Sequence, residues 1–315
     1  MICEFCSTSA VPQYPVSFGQ NVSTLYRCPN CHAWQVSPKF PESDLLSFYE
    51  QSYFQEQGWE IDKSRNLAAD YVRKLEEWSK NGQIRGPALE VGAGYGFFAA
   101  AAAKRWGIEV DIVEPSDACR RFCSQRGLGG GIHEALSRIP AGQKYSTIFC
   151  FHVVEHLQEL GPFLGSLSNH LNPDGEVWIL TPNADSWSFR RLGANWGWAC
   201  SDQHYEFLSS SIPRSFYAKQ GLHMQFARDL QPASVHFPSM WHASLIHCIK
   251  INQALIKKGR LLVLAARILR RMLWELAKPF AQNRKHCMLC AIEKKWAVLA
   301  NRRPHDELLL LLKKV

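Results

Sequence analysis

The sequence has no run of about 18 consecutive apolar residues, the length a membrane-crossing helix needs, so no span is expected within its 315 residues. Nor does it start with a basic and then an apolar stretch, so no secretory leader is expected. A cytoplasmic chain is expected, and in a reducing compartment its eleven cysteines are expected as thiols rather than as a disulfide framework. Basic residues are scarce where a nucleic-acid surface would need them. Between Cys6 and Cys28 the only Lys or Arg is Arg27, so the phosphate-contacting stripe of a nucleic-acid interface is missing.

The charge that is present is unevenly placed. Residues 250–315 hold 16 Lys or Arg against four acids, a net +12, and residues 1–249 carry −4. The body is slightly acidic, which argues against a general nucleic-acid enzyme. Within residues 255–280, Lys257, Lys258, Arg260, Arg267, Arg270, Arg271 and Lys278 alternate with Leu, Ile, Val and Trp274. Such an amphipathic helix or helix pair suits an anionic membrane surface, a partner groove or simple packing. Membrane-surface contact through residues 255–280, at the inner face, is one expectation.

Two pairs of cysteines open the chain, Cys3 with Cys6 and Cys28 with Cys31, separated by 21 residues. Two such knuckles close a tetrahedral zinc site; the usual loop is roughly 15–20 residues, so this one is slightly long. Too few apolar residues lie between them for an independent core, so zinc would supply the folding energy. Disulfides or a redox pair are the alternatives. Cys287 and Cys290 also have C-x-x-C spacing but no second pair, and are read as core residues of a strand.

The most informative run is Glu90-Val-Gly92-Ala-Gly94-Tyr95-Gly96, between apolar Pro87-Ala-Leu89 and a run of helix formers. This is a strand, a glycine turn and a helix, which brings backbone N–H groups close to a ligand. A dinucleotide fingerprint would have its third glycine at 97, where Phe97 stands. A second apolar strand ends in Glu114, eighteen residues after Gly96. An acid at that distance binds a ribose, its carboxylate accepting from two hydroxyls. Residues 127–140 should hold a short strand, weakened by Gly129-Gly130-Gly131. Tyr145 to Phe151 reads as another strand, followed by His152-Val-Val-Glu155-His156-Leu. His152, Glu155 and His156 are candidate acid–base or metal groups there, or a helix cap that orients the loop. Leu171-Asn-Pro-Asp-Gly175 reads as a turn before the strand that ends Thr181-Pro-Asn183.

With its acid ahead of the glycines, the turn resembles motif I of class I S-adenosylmethionine (SAM) dependent methyltransferases. The H-V-V-E-H-L segment, the L-x-P-x-G turn and the T-P-N strand end resemble the same family, over residues 85–230. The resemblance implies an α/β, Rossmann-like, seven-stranded mostly parallel sheet with helices on both faces. It implies that Glu90, Gly92, Gly94, Tyr95, Gly96, Glu114 and His152 surround SAM, with Glu134 near the adenine. The aromatic stretch after the T-P-N strand (Trp187, Phe189, Trp196, Trp198, Tyr205, Phe207, beside Arg190 and Arg191) would then contact substrate, or else plug the gap between strand and helix. His204 is a further candidate base or a supporting hydrogen-bonding group.

Several methyltransferases acting on sugars and other small molecules resemble this layout, with an N-terminal four-cysteine module and then a stretch like Leu45-Leu-Ser-Phe-Tyr49 and Tyr53-Phe54. The expected organisation is a zinc ribbon at 1–40, a helical connector over the donor pocket at 41–84, and a catalytic domain at 85–239 completed by a seventh strand within 284–296. A basic helical insertion fills 240–283 and a helical tail 297–315. The expected reaction is methyl transfer from SAM to a small molecule, most simply a sugar or glycan hydroxyl, with His152, Glu155, His156 and His204 as catalytic candidates. A keto-sugar C-methyltransferase, an RNA methyltransferase and a non-catalytic adaptor are the alternatives. An N-methylating enzyme would be expected to have Asn/Asp-Pro-Pro-aromatic where this chain has His152-Val-Val-Glu155.

Overall fold

Alternating short apolar strands and helices build one twisted sheet in the computed structural model. It describes residues 1–18, 21–39, 58–79, 84–128, 130–186, 189–190, 193, 198–199, 204–230 and 307–315. An N-terminal antiparallel unit contains β1 (Val11–Phe18), β2 (Asn21–Arg27) and β3 (Trp34–Ser37). Helix α1 (Gly58–Trp78) follows, then β4 (Ala88–Val91), α2 (Phe97–Trp106), β5 (Val110–Val113), α3 (Asp117–Gln125) and the two-residue β6 (Ile132–His133). Next come β7 (Tyr145–Phe151), α4 (Leu160–Asn169), β8 (Leu171–Pro182), β9 (Glu206–Phe207), α5 (Arg214–Ala218), β10 (Leu222–Leu230) and β11 (Glu307–Lys314).

The main sheet has the order β10-β11-β8-β7-β4-β5-β6. Strand β11 runs antiparallel to both neighbours, and β8, β7, β4, β5 and β6 are mutually parallel. All four residues of β4 and of β5 are buried, as expected for parallel strands covered on both faces. Helix α2 is alanine-rich and ends with Lys104 and Arg105 before a left-handed Gly107, a favourable interior, last turn and stop together. The chain leaves β4 with β5 on one side and β7 on the other. That reversal of strand order leaves a crevice at the C-terminal strand ends, where open α/β sheets bind ligands.

The seven-stranded, mostly parallel sheet agrees with expectation, but its seventh strand does not. It is Glu307–Lys314, not residues 286–295, which lie outside the described residues with the whole of 240–283. Within the stretch read as a helical tail, Glu307–Lys314 is therefore a strand, and residues 297–306 lie outside the described residues. Leu308, Leu310 and Leu312 pack on one face of the sheet and Leu309 and Leu311 on the other. A continuous leucine run has no period that separates a buried strand from a buried helix. The Leu171–Gly175 turn is also redrawn. Tyr145 pairs with Leu171 and Thr147 with Glu176, so the Pro and Gly residues form a bulge within the strand ladder.

Candidate functional site

The glycine turn lies at the end of β4. Gly92, Gly94 and Gly96 have φ of 74°, 53° and 67°. A Cβ on Gly92 would sit 2.3 Å from Val153 Cγ2, so this glycine lets the turn pack against the segment that follows β7. A Cβ on Gly94 would meet no heavy atom within 4 Å. Gly94 thus lines an open cradle, and its N–H donates to Glu114 Oε2 at 2.7 Å. Ser116 N donates to Glu114 Oε1 at 2.8 Å. The carboxylate is thereby fixed at the end of β5, and each oxygen keeps a second lone pair for a ligand hydroxyl. Burial raises the pKa of Glu114, and the Ser116 and Gly94 amides pull it back. Cradle, fixed carboxylate and helix N-terminus fit a nucleoside bearing a ribose diol.

Glu90 plays a different part. It is buried, and its Oε2 accepts from Ala99 N in the first turns of α2 at 2.9 Å. Burial pushes its carboxyl well above the usual carboxylate range. Because the folded-state pKa is raised, the stability this group contributes is present below the ordinary carboxylate pKa. It is lost as pH climbs through the folded value. Glu90→Gln keeps the acceptor for Ala99 and removes the titration. The expected outcome is a melting temperature within a few degrees of the parent at about pH 5 and a shallower decline toward about pH 9, read by thermal melts across that range. Tyr95 packs edge-on to Phe122 at 5.0 Å. Glu134 is exposed one residue beyond β6.

The segment after β7 is strained at His152 and buried at Val154 and Glu155. His152 has φ 55°, an unfavourable backbone for a non-glycine residue, held by its N–H donating to Leu180 O at 2.7 Å. Its Nδ1 lies 3.2 Å from Glu155 Oε1. Its Nε2 lies 3.1 Å from Tyr71 Oη on α1 and 3.4 Å from Glu307 Oε1 at the start of β11. Burial lowers the His152 pKa, but hydrogen bonds with Glu155 and Glu307 outweigh it and lift the value to about 10. Burial pushes Glu155 up, and His152 overrides that and holds it at about 2. The second oxygen of Glu155 accepts from Thr181 Oγ1 at 3.0 Å. His152 is therefore an imidazolium clasped by two carboxylates.

His204 is its electrostatic opposite. Burial, then the neighbouring His156, drives its pKa down to about 3. Its Nδ1 lies 2.7 Å from the Trp198 carbonyl O, so the neutral ring donates there and presents Nε2 as an acceptor. The His156 and His204 rings are 4.6 Å apart. Trp198 stacks on His152 at 5.1 Å and 5° and tilts over His204 at 5.6 Å. Tyr205 N donates to Glu155 O at 2.7 Å. The four catalytic candidates thus converge on Glu155. The sequence reading missed Tyr71 and Glu307, because nothing local marks a helix tyrosine or the first residue of a leucine strand. Phe189, Tyr205 and Phe207 are buried packing residues, so that part of the aromatic stretch is a plug. Trp187, Arg191, Trp196 and residues 40–57 lie outside the described residues.

The N-terminal unit forms one wall. Strand β3 pairs with β9, Gln35 opposite Glu206. Gln35 Nε2 donates to Glu206 Oε2 at 2.9 Å, and Lys39 pairs with the other oxygen. Burial pushes the Glu206 carboxyl up to about 8, which Lys39 only partly offsets. The cysteines lie beneath. Cys3 and Cys31 Sγ are 3.6 Å apart, Cys6 and Cys28 Sγ 3.4 Å, and all four are within 4.8 Å of one another. A disulfide would bring sulfurs to about 2.05 Å, whereas Zn–S bonds of about 2.3 Å around a tetrahedron space them roughly 3.8 Å apart. The four-thiol cluster fits zinc. Phe5 stacks edge-on to Phe216 at 5.1 Å, and Glu4 Oε1 accepts from Leu160 N at 3.2 Å and Gly161 N at 3.3 Å at the start of α4.

Together the sheet order, glycine cradle and strand-end acid make an α/β fold with room for a nucleoside at its strand ends. A methyltransferase-domain family matches residues 62–224, just over half of the chain. The chain belongs to that family and is a methyltransferase. No curated protein matches it. Among solved structures it is similar to magnesium protoporphyrin IX methyltransferase from Synechocystis PCC 6803 with bound SAH, at 14% identity and a TM-score of 0.47, over 61% of this chain and 94% of that one. It is similar to the O-methyltransferase of a trans-AT PKS multienzyme of Brevibacillus brevis in complex with S-adenosyl-L-homocysteine, at 14% identity and a TM-score of 0.45, over 89% and 82%. A third is an S-adenosylmethionine-dependent methyltransferase from Clostridium acetobutylicum ATCC 824, at 11% and 0.39, over 62% and 92%.

Proposed function

We propose that this chain transfers a methyl group from SAM to a hydroxyl of a small molecule, a sugar or glycan intermediate, and that one structural zinc ion is held by Cys3, Cys6, Cys28 and Cys31. The observation that carries the reading is the open cradle at Gly94 beside the fixed carboxylate of Glu114. SAM supplies an activated sulfonium methyl. The chain's own residues bind and orient. Gly94 admits the nucleoside, Glu114 accepts from its ribose hydroxyls, and the positive end of α2 faces it. His152, Glu155 and Glu307 form a rigid charged floor beneath Trp198. The indole face of Trp198 suits the apolar face of a sugar ring.

Of the basic groups proposed from sequence, His204 is the one suited to meet the acceptor hydroxyl. It is neutral and its Nε2 is an acceptor, whereas His152 already holds its proton between two acids. Alignment of donor and acceptor contributes the larger part of the acceleration. His204→Gln is expected to lower kcat by about tenfold, because a histidine held at about 3 is a weak base that mainly orients the hydroxyl, and to leave the SAM dissociation constant within about twofold, since no donor contact is removed. Steady-state kinetics with calorimetry check the split. The acceptor class is tested by incubating the protein and SAM with nucleotide sugars and glycan fragments. A mass gain of one methyl on a hydroxyl supports it. SAM binding with no methyl gain on any of them would sink it.

A further inference from the structure

We infer that Glu155, His156 and His204 form a binding site for one first-row divalent transition-metal cation, separate from the four-cysteine cluster. A Glu155 carboxylate oxygen and one ring nitrogen each of His156 and His204 lie within 4.8 Å of one another. Metal bonds of about 2.0–2.2 Å place neighbouring ligand atoms roughly 3.0–3.5 Å apart, so small side-chain rotations close the set. The three groups are not brought together by chance packing of a loose loop. Glu155 and His156 share the 3-10 turn Val154–His156. The chain at His204 is pinned to that same turn through Tyr205 N and the Glu155 carbonyl.

The surroundings are those of a ligand set. The Nδ1 of His204 is held by the Trp198 carbonyl, the kind of outer contact that fixes the ring of a metal-ligating histidine. The Glu155 oxygens are oriented by His152 and Thr181, and each keeps a second lone pair. Two imidazoles and one carboxylate suit manganese, iron, cobalt, nickel or zinc better than magnesium or calcium. Glu155 and His204 are buried and His156 is partly exposed, so the open coordination position lies on the His156 side. An acceptor oxygen would take that position. That last role rests on the function proposed above, and with the cation present His204 acts on the hydroxyl through the metal rather than as a direct base. The cation site itself does not depend on that function.

The experiment titrates the full-length protein, prepared with one zinc ion per chain so that only the thiolates are filled, with Mn2+ and follows the loss of the free-ion signal by electron paramagnetic resonance. Mn2+ prefers oxygen and nitrogen donors over thiolates, so the cysteine cluster stays silent. One Mn2+ per chain is expected. His156→Gln and His204→Gln are each expected to weaken it at least tenfold, with zinc content and circular dichroism unchanged, while Gly94→Asp binds Mn2+ as the parent does. Should His204→Gln fail to fold, His156→Gln on the more exposed position carries the comparison. No bound Mn2+ at millimolar concentration, or parental affinity in a folded His156→Gln protein, overturns the site. Mn2+ binding without methyl transfer to any acceptor would count against the proposed function and leave the site standing.

Discussion

Gly94→Asp is expected to weaken SAM binding at least about 100-fold, roughly 2.7 kcal/mol, in a chain that still folds. The backbone at Gly94 has φ 53°, and Asp is among the few residues that tolerate the left-handed region. A side chain there meets nothing within 4 Å at Cβ, so the fold has room for it. The ligand does not, because that room is the cradle. The new carboxylate would also stand beside Glu114, which the Gly94 amide holds at 2.7 Å, and repel the charge on which the ribose contacts depend. Gly94→Ala should lose less, since it occupies volume without adding charge. Calorimetric titration with SAM and a thermal melt separate binding from folding. Binding by Gly94→Asp as tight as the parent's would refute the assignment of the donor site.

Loss of the proposed zinc through Cys28→Ser is expected to lower methyl transfer at least about 100-fold while SAM binding changes by only a few fold. Strands β1 to β3 have a small core, and a structural zinc supplies folding free energy outright. Without it the register of β3 on β9 is lost, and with it the partners of Glu206. His204 and Tyr205 precede β9 directly, so the acceptor side loosens while the cradle at β4 and β5, on the far side of β7 in the sheet order, stays intact. The measurements are zinc content by native mass spectrometry, SAM affinity by calorimetry, and kcat. A metal-free protein with parental kcat would show that the module does not organise the site.

How much of this was legible in the sequence depended on whether the signal was local. The glycine turn, Glu114 and the cysteine knuckles are short patterns whose spacing fixes their geometry, and each lies where its spacing put it. The role of Glu90 was only half visible. It was named with the donor site, and its hydrogen bond to Ala99 makes it a buried strut beneath the turn. His152 was named as a base candidate, but after the nearby Glu155 its raised pKa also owes to Glu307, a residue 155 positions away in sequence. No local pattern carries such a pairing. The leucine run that bears Glu307 was misread because helix and buried strand share its composition.

Strand β11 has a further consequence, for the order in which the molecule is assembled. It slots between β8 and β10 and pairs with both, yet residues 231–306 intervene before it is made. Until it arrives, two strands face each other across an unfilled gap with open hydrogen-bonding edges, which are templates for aggregation. Its long sequence separation from both makes this a late and slow event. Glu307 is its first residue, so the final zipping of the sheet also installs the second carboxylate on His152. A nascent or truncated chain lacking this strand can carry the glycine turn and the donor acid, but its His152 has only the first of its two carboxylates.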